Sequence, residues 1–244
     1  MGSPRPEVVQ RSCGGVVSDL VVVALGVALL VVTGSALILL RMPPERLERT
    51  VDEVTSVEVR LAAGRVEIGE YDRSDVAVEI LARRRPGRAR PTMTRSGGVL
   101  RIDGRTSEAL ARLKLPRGTK ARAEVRMGEI TLWGSAGDLV LVTEGGGITG
   151  RELSGARVSA RSRTGDVNLH FDGPPDDLSA VSEDGMVTLV LPEDEYGVEA
   201  EAGNPQSAVV DLPSVPGAAR RVLARSVAGR IRIRPASPRG PVRI

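Results

Sequence analysis

The chain has 244 residues, with 34 basic and 31 acidic side chains and a formal net charge of +3, too balanced to act as a broad electrostatic grip on nucleic acid. A single cysteine, Cys13, excludes an internal disulfide and a cysteine-built zinc site, and a single histidine, His170, leaves little from which to assemble nucleophile–base chemistry. Aromatic residues make up only 2% of the chain, too few to interleave with the bases as stacking platforms for nucleotides.

Residues 1–18 read as a short cytoplasmic arm, and residues 19–41 as a transmembrane helix. The stretch Leu20–Leu40 carries no charge over 21 residues, which as a helix spans about 30 Å, the hydrocarbon thickness of a bilayer. A cleaved signal peptide fits less well, because the apolar run is long and Ile38-Leu-Leu-Arg-Met-Pro-Pro44 offers no small-x-small cleavage site. Asp19 marks the entry edge of the span, and Cys13 is a juxtamembrane thiol without a lipobox. Arg5 and Arg11 before the span nearly balance Arg41, Arg46 and Arg49 after it, so the positive-inside rule does not set the topology by itself. The short arm favours an N-terminus in the cytoplasm and the large C-terminal domain outside it.

Residues 42–53 read as a Pro-containing linker, and residues 54–234 as a β domain. Its first strands alternate apolar and polar residues: Val57-Glu-Val59-Arg-Leu61, Gly64-Arg-Val66-Glu-Ile68, Val76-Ala-Val78-Glu-Ile80 and Gly98-Val-Leu100-Arg-Ile102. They suggest irregular coils or a capping sheet. Between them lies a basic loop with Arg83, Arg84, Arg85, Arg88, Arg90 and Arg95, broken by Pro86 and Pro91. Such a loop could touch an anionic surface, lipid headgroups in particular, or remain solvated.

A repeat follows. Gly128, Gly147, Gly165, Gly185 and Gly229 open similar Gly-x-apolar phrases at gaps of 19, 18, 20 and 44 residues, the last holding a degenerate copy around Gly203. Each unit has a first strand, as in Leu139–Thr143, Val158–Ser162, Leu178–Ser182, Val198–Ala202 and Val222–Ser226. A glycine turn leads to a second strand, as in Ile130–Leu132, Val167–Leu169, Val187–Leu189 and Ile231–Ile233, cut short at Ile148–Gly150. A period near 20 residues with strands inside it predicts a β-solenoid, each coil burying its apolar face on the next. The small residues Thr143, Ser162, Ser182, Ala202 and Ser226 should then form a ladder at one corner. Residues 235–244 read as a Pro- and Arg-rich tail.

Chemistry is sparse in this pattern. There is no Gly-x-Ser-x-Gly elbow, phosphate loop or dinucleotide fingerprint. Asp176-Asp177 and Glu193-Asp194-Glu195 lie in turns after prolines and read as solvated, and the repeat lacks the aspartate that calcium-binding nonapeptides need. Glu129 and Asp166 occupy equivalent positions after their glycines and could stack, the one hint of a polysaccharide-active enzyme. We expect no catalytic, cofactor or metal residues.

The phrase Leu113-Lys-Leu115-Pro-Arg-Gly118-Thr119, the serial Ser/Thr…Gly-x-Val-x-Leu coils and the second Leu189-Val-Leu191-Pro192 resemble the bacterial "putative adhesin" domain, also called Toastrack. The resemblance covers about residues 54–234. It implies a single-stranded β-solenoid tethered to transmembrane helices, linked with envelope-stress systems and surface interactions, and without established catalytic residues. The expectation is therefore a non-enzymatic, single-pass envelope protein. Its solenoid would serve as an interaction scaffold or stress sensor facing an envelope protein or a cell-surface polymer. A polysaccharide-active enzyme and an anionic-membrane binding module are the alternatives.

Overall fold

The computed structural model describes residues 45–82 and 90–236; the arm, the apolar span at 20–40 and the end of the tail lie outside them. Among the described residues no helix is long and apolar enough to cross a membrane.

The repeat closes into coils of two strands. β7 (Leu139–Gly145) and β8 (Ile148–Leu153) form one coil, β9 (Arg157–Ser162) and β10 (Val167–Phe171) the next, and β11 (Asp177–Ser182) and β12 (Val187–Leu191) a third. First strands stack in parallel on first strands, with Ala160 paired to Leu141 on one side and Ala180 on the other. Second strands do the same, with Val167 between Ile148 and Val187. Val167, Leu169, Val187 and Leu189 are all buried, as their alternation predicts.

Three earlier strands run through both columns: β2 (Ser56–Tyr71), β5 (Val99–Pro116) and β6 (Lys120–Trp133). β2 lies between β5 and β6, parallel to both. Beyond β5 the direction changes. β3 (Asp75–Ala82) and β4 (Thr92–Ser96) pair antiparallel with its two halves, and β1 (Glu45–Asp52) pairs antiparallel with β3. The sequence reading of 42–53 as a linker is corrected here. Most of it is β1, whose Leu47 and Val51 pack on the core. The upstream strands are thus partly coils and partly a cap.

The far end departs from sequence order. β13 (Tyr196–Ala202) and β14 (Ala208–Val210) form the outermost coil, and β15 (Arg220–Ser226) and β16 (Ile231–Pro235) slot beneath it. β15 pairs with β11 and β13, and β16 with β12 and β14. The chain therefore skips a level and returns to fill it, which accounts for the 44-residue gap between Gly185 and Gly229. Tyr196 anchors the skip. It is fully buried, its hydroxyl donates to the Pro192 carbonyl at 3.1 Å, and burial pushes its phenol up to about 12.

One corner holds the coils together. Ser162, Ser182 and Ser226 are fully buried. Each accepts the amide of the glycine three residues on, from Gly165, Gly185 and Gly229, at 2.9 Å. Each donates its own proton to the glycine carbonyl of the coil below: Gly146 at 2.8 Å, Gly165 at 2.9 Å and Gly185 at 2.8 Å. Thr143 extends the column with a bond to the Gly128 carbonyl at 3.1 Å. The expected ladder of small residues stands in register at all five positions, and the hydroxyl bond is made at four of them. Ala202, in the outermost coil, has no hydroxyl to contribute.

These glycines permit the close approach. A Cβ on Gly165 would lie 2.0 Å from the Gly146 carbonyl oxygen, and one on Gly185 would lie 2.2 Å from that of Gly165. The same geometry corrects one assignment. In the β7–β8 turn the stacked residue is Gly146, with Gly147 one position past the column. The short second strand is also a misreading, because β8 continues to Leu153. Gly150 leaves an inward gap that the Leu153 side chain fills, and the pairing with β10 shifts register between Leu169 and Phe171.

Opposite this corner, Glu70 pins two turns. Its carboxylate accepts from the Gly118 amide at 3.1 Å, Ser135 Oγ at 3.0 Å, the Ala136 amide at 3.0 Å and the Gly137 amide at 3.3 Å. The Pro-Arg-Gly-Thr turn of the resemblance motif is thereby tied to the body of the solenoid.

Ser182→Ala orphans the Gly185 amide and the Gly165 carbonyl inside the corner, and should cost about 1–3 kcal/mol in urea unfolding. Ser207→Ala, outside the column, should cost less than about 0.5 kcal/mol. Equal midpoints for the two variants would contradict the role given to the ladder.

Candidate functional site

Alternation that buries one side of each strand displays the other. On the second-strand column, the outward residues form straight rows, because parallel pairing keeps equivalent positions in register at about 4.8 Å per step. One row reads Glu79, Arg112, Glu67, Thr131, Thr149, Asn168, Thr188, Arg232. Beside it, Gly69, Trp133 and Arg151 stand in register, as do Val190 and Arg234. His170 faces Val190 across β10 and β12.

The two halves of this face differ in charge. In the N-terminal half most arginines are compensated. Arg46 meets Glu79 at 2.9 Å, Arg112 meets Glu67 at 2.8 Å and Glu79 at 3.6 Å, and Arg65 meets Glu129 at 2.6 Å. The hydrogen bond that Arg112 donates to Glu67 raises the Arg112 pKa above its ordinary value. Such exposed pairs add little stability. They leave Arg49 and Lys114 as the cations of this half without an ion pair among the described residues. The first-strand column is treated similarly, with Arg101 on Glu58 at 3.0 Å and Arg157 on Asp138 at 2.7 Å, the latter guanidinium lowering the Asp138 pKa.

The C-terminal half is not compensated. Thr149, Arg151, Asn168, His170, Thr188, Val190 and Arg234 line a shallow groove of about 480 Å³ with no carboxylate in its wall. Arg151, Arg232 and Arg234 are exposed and make no ion pair with any described residue. Next to Arg151 stands an aromatic pair. Trp133 Nε1 donates to the Tyr71 hydroxyl at 3.1 Å, and Lys114 Nζ sits 5.7 Å from the centre of the Tyr71 ring. The indole lies over Gly69, where a Cβ would be 2.4 Å from the ring. The small residue clears a seat for the large one.

The other residues expected to act fall elsewhere. Gly128, Gly165, Gly185 and Gly229 line the structural corner, and Gly128 also borders a separate cavity with Gly64, Arg65 and Glu129. Arg83, Arg84, Arg85 and Arg88 lie outside the described residues. Arg90 pairs with Glu45 at 3.1 Å and Arg95 with Glu53 at 3.0 Å, so part of the basic loop's charge is already answered. Glu129 and Asp166 do not meet. Gly147 occupies the level between them, Arg65 takes Glu129, and Asp166 accepts the Met186 amide at 2.7 Å. Asp176 and Asp194 flank Arg220 at 3.7 and 3.6 Å. Among the described residues no group of three or more His, Cys, Asp or Glu converges as a metal site would require.

No family model matches this chain, and no curated protein matches it. Among solved structures it is similar to a "putative cell adhesion protein" of Clostridium sporogenes, at 14% identity and a TM-score of 0.47 over 79% of this chain and 100% of that one. It is also similar to a "putative adhesin" of Parabacteroides merdae, at 9% identity and a TM-score of 0.28 over 81% and 98% of the two chains. A "putative adhesin" of Bacteroides fragilis gives 10% identity and a TM-score of 0.27 over 79% and 97%.

Sequence reasoning missed the groove, although its signal was present. Each second strand was read for its buried positions, while the residues between them spell Thr, Asn, Thr and Arg down one row and Trp, Arg, His, Val and Arg down the next. Gly69→Ala should displace the indole. Because Trp133 is the single tryptophan, its emission should shift while the far-ultraviolet circular dichroism stays unchanged. An unaltered emission spectrum would place the ring elsewhere.

Proposed function

We propose that this chain is a non-enzymatic envelope protein, anchored in the membrane through Leu20–Leu40, whose solenoid stands outside the cytoplasm as an interaction scaffold. The working surface is the outer face of the second-strand column, and the partner is a cell-surface polymer. One observation carries the reading: a strand-built face whose arginines are mostly paired with acids in one half and left open in the other. Rigid strands position such groups without an ordering cost on binding, which suits recognition of an extended partner. Catalysis would call for converging acids or bases, and Glu129, Asp166 and His170 are each held apart from the others.

The topology has a direct test. Gln206 and Ala219 are exposed in the C-terminal coils and accept cysteine without entering the core. In a Cys13→Ser background, a membrane-impermeant maleimide should label Gln206→Cys and Ala219→Cys in intact cells, after permeabilising any outer membrane. Labelling that appears only after lysis would place the solenoid in the cytoplasm and remove the surface role.

A further inference from the structure

We infer that the groove on β8, β10, β12 and β16, together with the Trp133–Tyr71 pair, binds an acidic polysaccharide, its carboxylates on Arg151 and Arg234 and a sugar ring on Trp133. The inference rests on the proposed surface role and names the ligand class for that face.

Three features select this class. First, the cations are unmatched where most of the surrounding surface is matched. Arg151 and Arg234 border a wall without carboxylates, whereas Arg112, Arg65 and Arg46 on the same column each hold an acid. A guanidinium binds a carboxylate through paired, charge-assisted hydrogen bonds, and these two are free to do so.

Second, the spacing suits a polymer. β8 and β16 are separated by β10 and β12, so Arg151 and Arg234 stand three strand steps apart, about 14 Å. One small anion cannot bridge that distance, but a chain with recurrent anionic residues can follow the rows. Trp133, one step beyond Arg151, lengthens the track to about 19 Å.

Third, the groups between the charges are those that read hydroxyls. Thr149, Asn168 and Thr188 supply neutral donors and acceptors on the same face, with the His170 ring beside them. Trp133 adds a partly exposed ring against which the apolar side of a sugar can lie, and its nitrogen is already satisfied by Tyr71. Anionic lipid would be served by cations alone, and does not use a row of neutral hydroxyl and amide groups in register.

The test is a fluorescence titration of the full chain in neutral detergent, with polygalacturonate as probe and dextran as the uncharged comparison. Since Trp133 is the single tryptophan, the signal reports the groove itself. Polygalacturonate should change its emission saturably, with affinity falling as salt rises, and dextran should not. Arg151→Gln and Arg234→Gln should each weaken binding about tenfold or more. Arg101→Gln, on the first-strand column, should leave it unchanged. Trp133→Phe, followed by cosedimentation, should retain part of the binding that Trp133→Ala loses.

No emission change with polygalacturonate overturns the inference. So does binding that Arg151→Gln and Arg234→Gln leave intact, or binding to phosphatidylglycerol vesicles without binding to polygalacturonate. The surface role is judged separately. If the chain is retained by isolated envelope material but not by polygalacturonate, the scaffold reading stands and the acidic glycan falls. If neither retains it, both fall.

Discussion

A serine hydroxyl that takes one glycine amide and gives its proton to a glycine carbonyl one level down is the interaction on which this solenoid depends. Each such hydroxyl is fully buried, so each bond replaces water that cannot enter. The bond also demands its neighbours. The acceptor carbonyl comes within reach only because the residue stacked on it has no Cβ, and a Cβ at Gly165 or Gly185 would overlap that carbonyl. Hydroxyl and glycine therefore form one device, complete at Ser162, Ser182 and Ser226 and half-made at Thr143.

The device has consequences far from the corner. Fixing the level-to-level distance at the corner keeps the strands next to it in register, so inward Val, Leu and Ile meet like residues above and below, apart from the shift at the end of β8. The same register rules the outer face into rows. Charges placed on those rows lie at set intervals, as in the Arg112–Glu67 step and in the wider interval from Arg151 to Arg234. A meandering sheet of equal composition would hold the same side chains without that regularity. The surface reading thus follows from the corner through a chain of packing.

Much of this was legible in the sequence because it is local. Alternation identifies inward residues such as Val167 and Leu169, and the recurrence of Ser-x-x-Gly marks the corner. The order of the last two coils was not read from it, although the information was there. Ser162-Arg-Thr-Gly165, Ser182-Glu-Asp-Gly185 and Ser226-Val-Ala-Gly229 share a spacing that Ala202-Gly203 lacks, so only Ser226 can reach the Gly185 carbonyl. Counting apolar positions treats Val198–Ala202 and Val222–Ser226 as equals, and hydrogen-bond chemistry separates them. Other features had no local signature. Glu70 follows Val66 and Ile68 in the inward phase of β2, and the turns that close around its carboxylate, at Gly118 and Gly137, lie far away in sequence. The groove needs residues from four strands, brought together by stacking alone.

The central claim is that this hydroxyl–glycine column sets the order of the coils, placing β15 against β11. Cysteine pairs can measure that order in a Cys13→Ser background. Val181 and Arg225 are partners on adjacent strands, about 4.8 Å apart and within disulfide reach, whereas Val181 and Glu201 are separated by β15 and lie about twice as far apart. Mild oxidation followed by peptide mass spectrometry should show an intramolecular cross-link in the Val181→Cys/Arg225→Cys variant and none in Val181→Cys/Glu201→Cys. The reverse outcome would mean that the coils stack in the order of the sequence, and the hydroxyl of Ser226 would then not be the group that seats the last coil on Gly185.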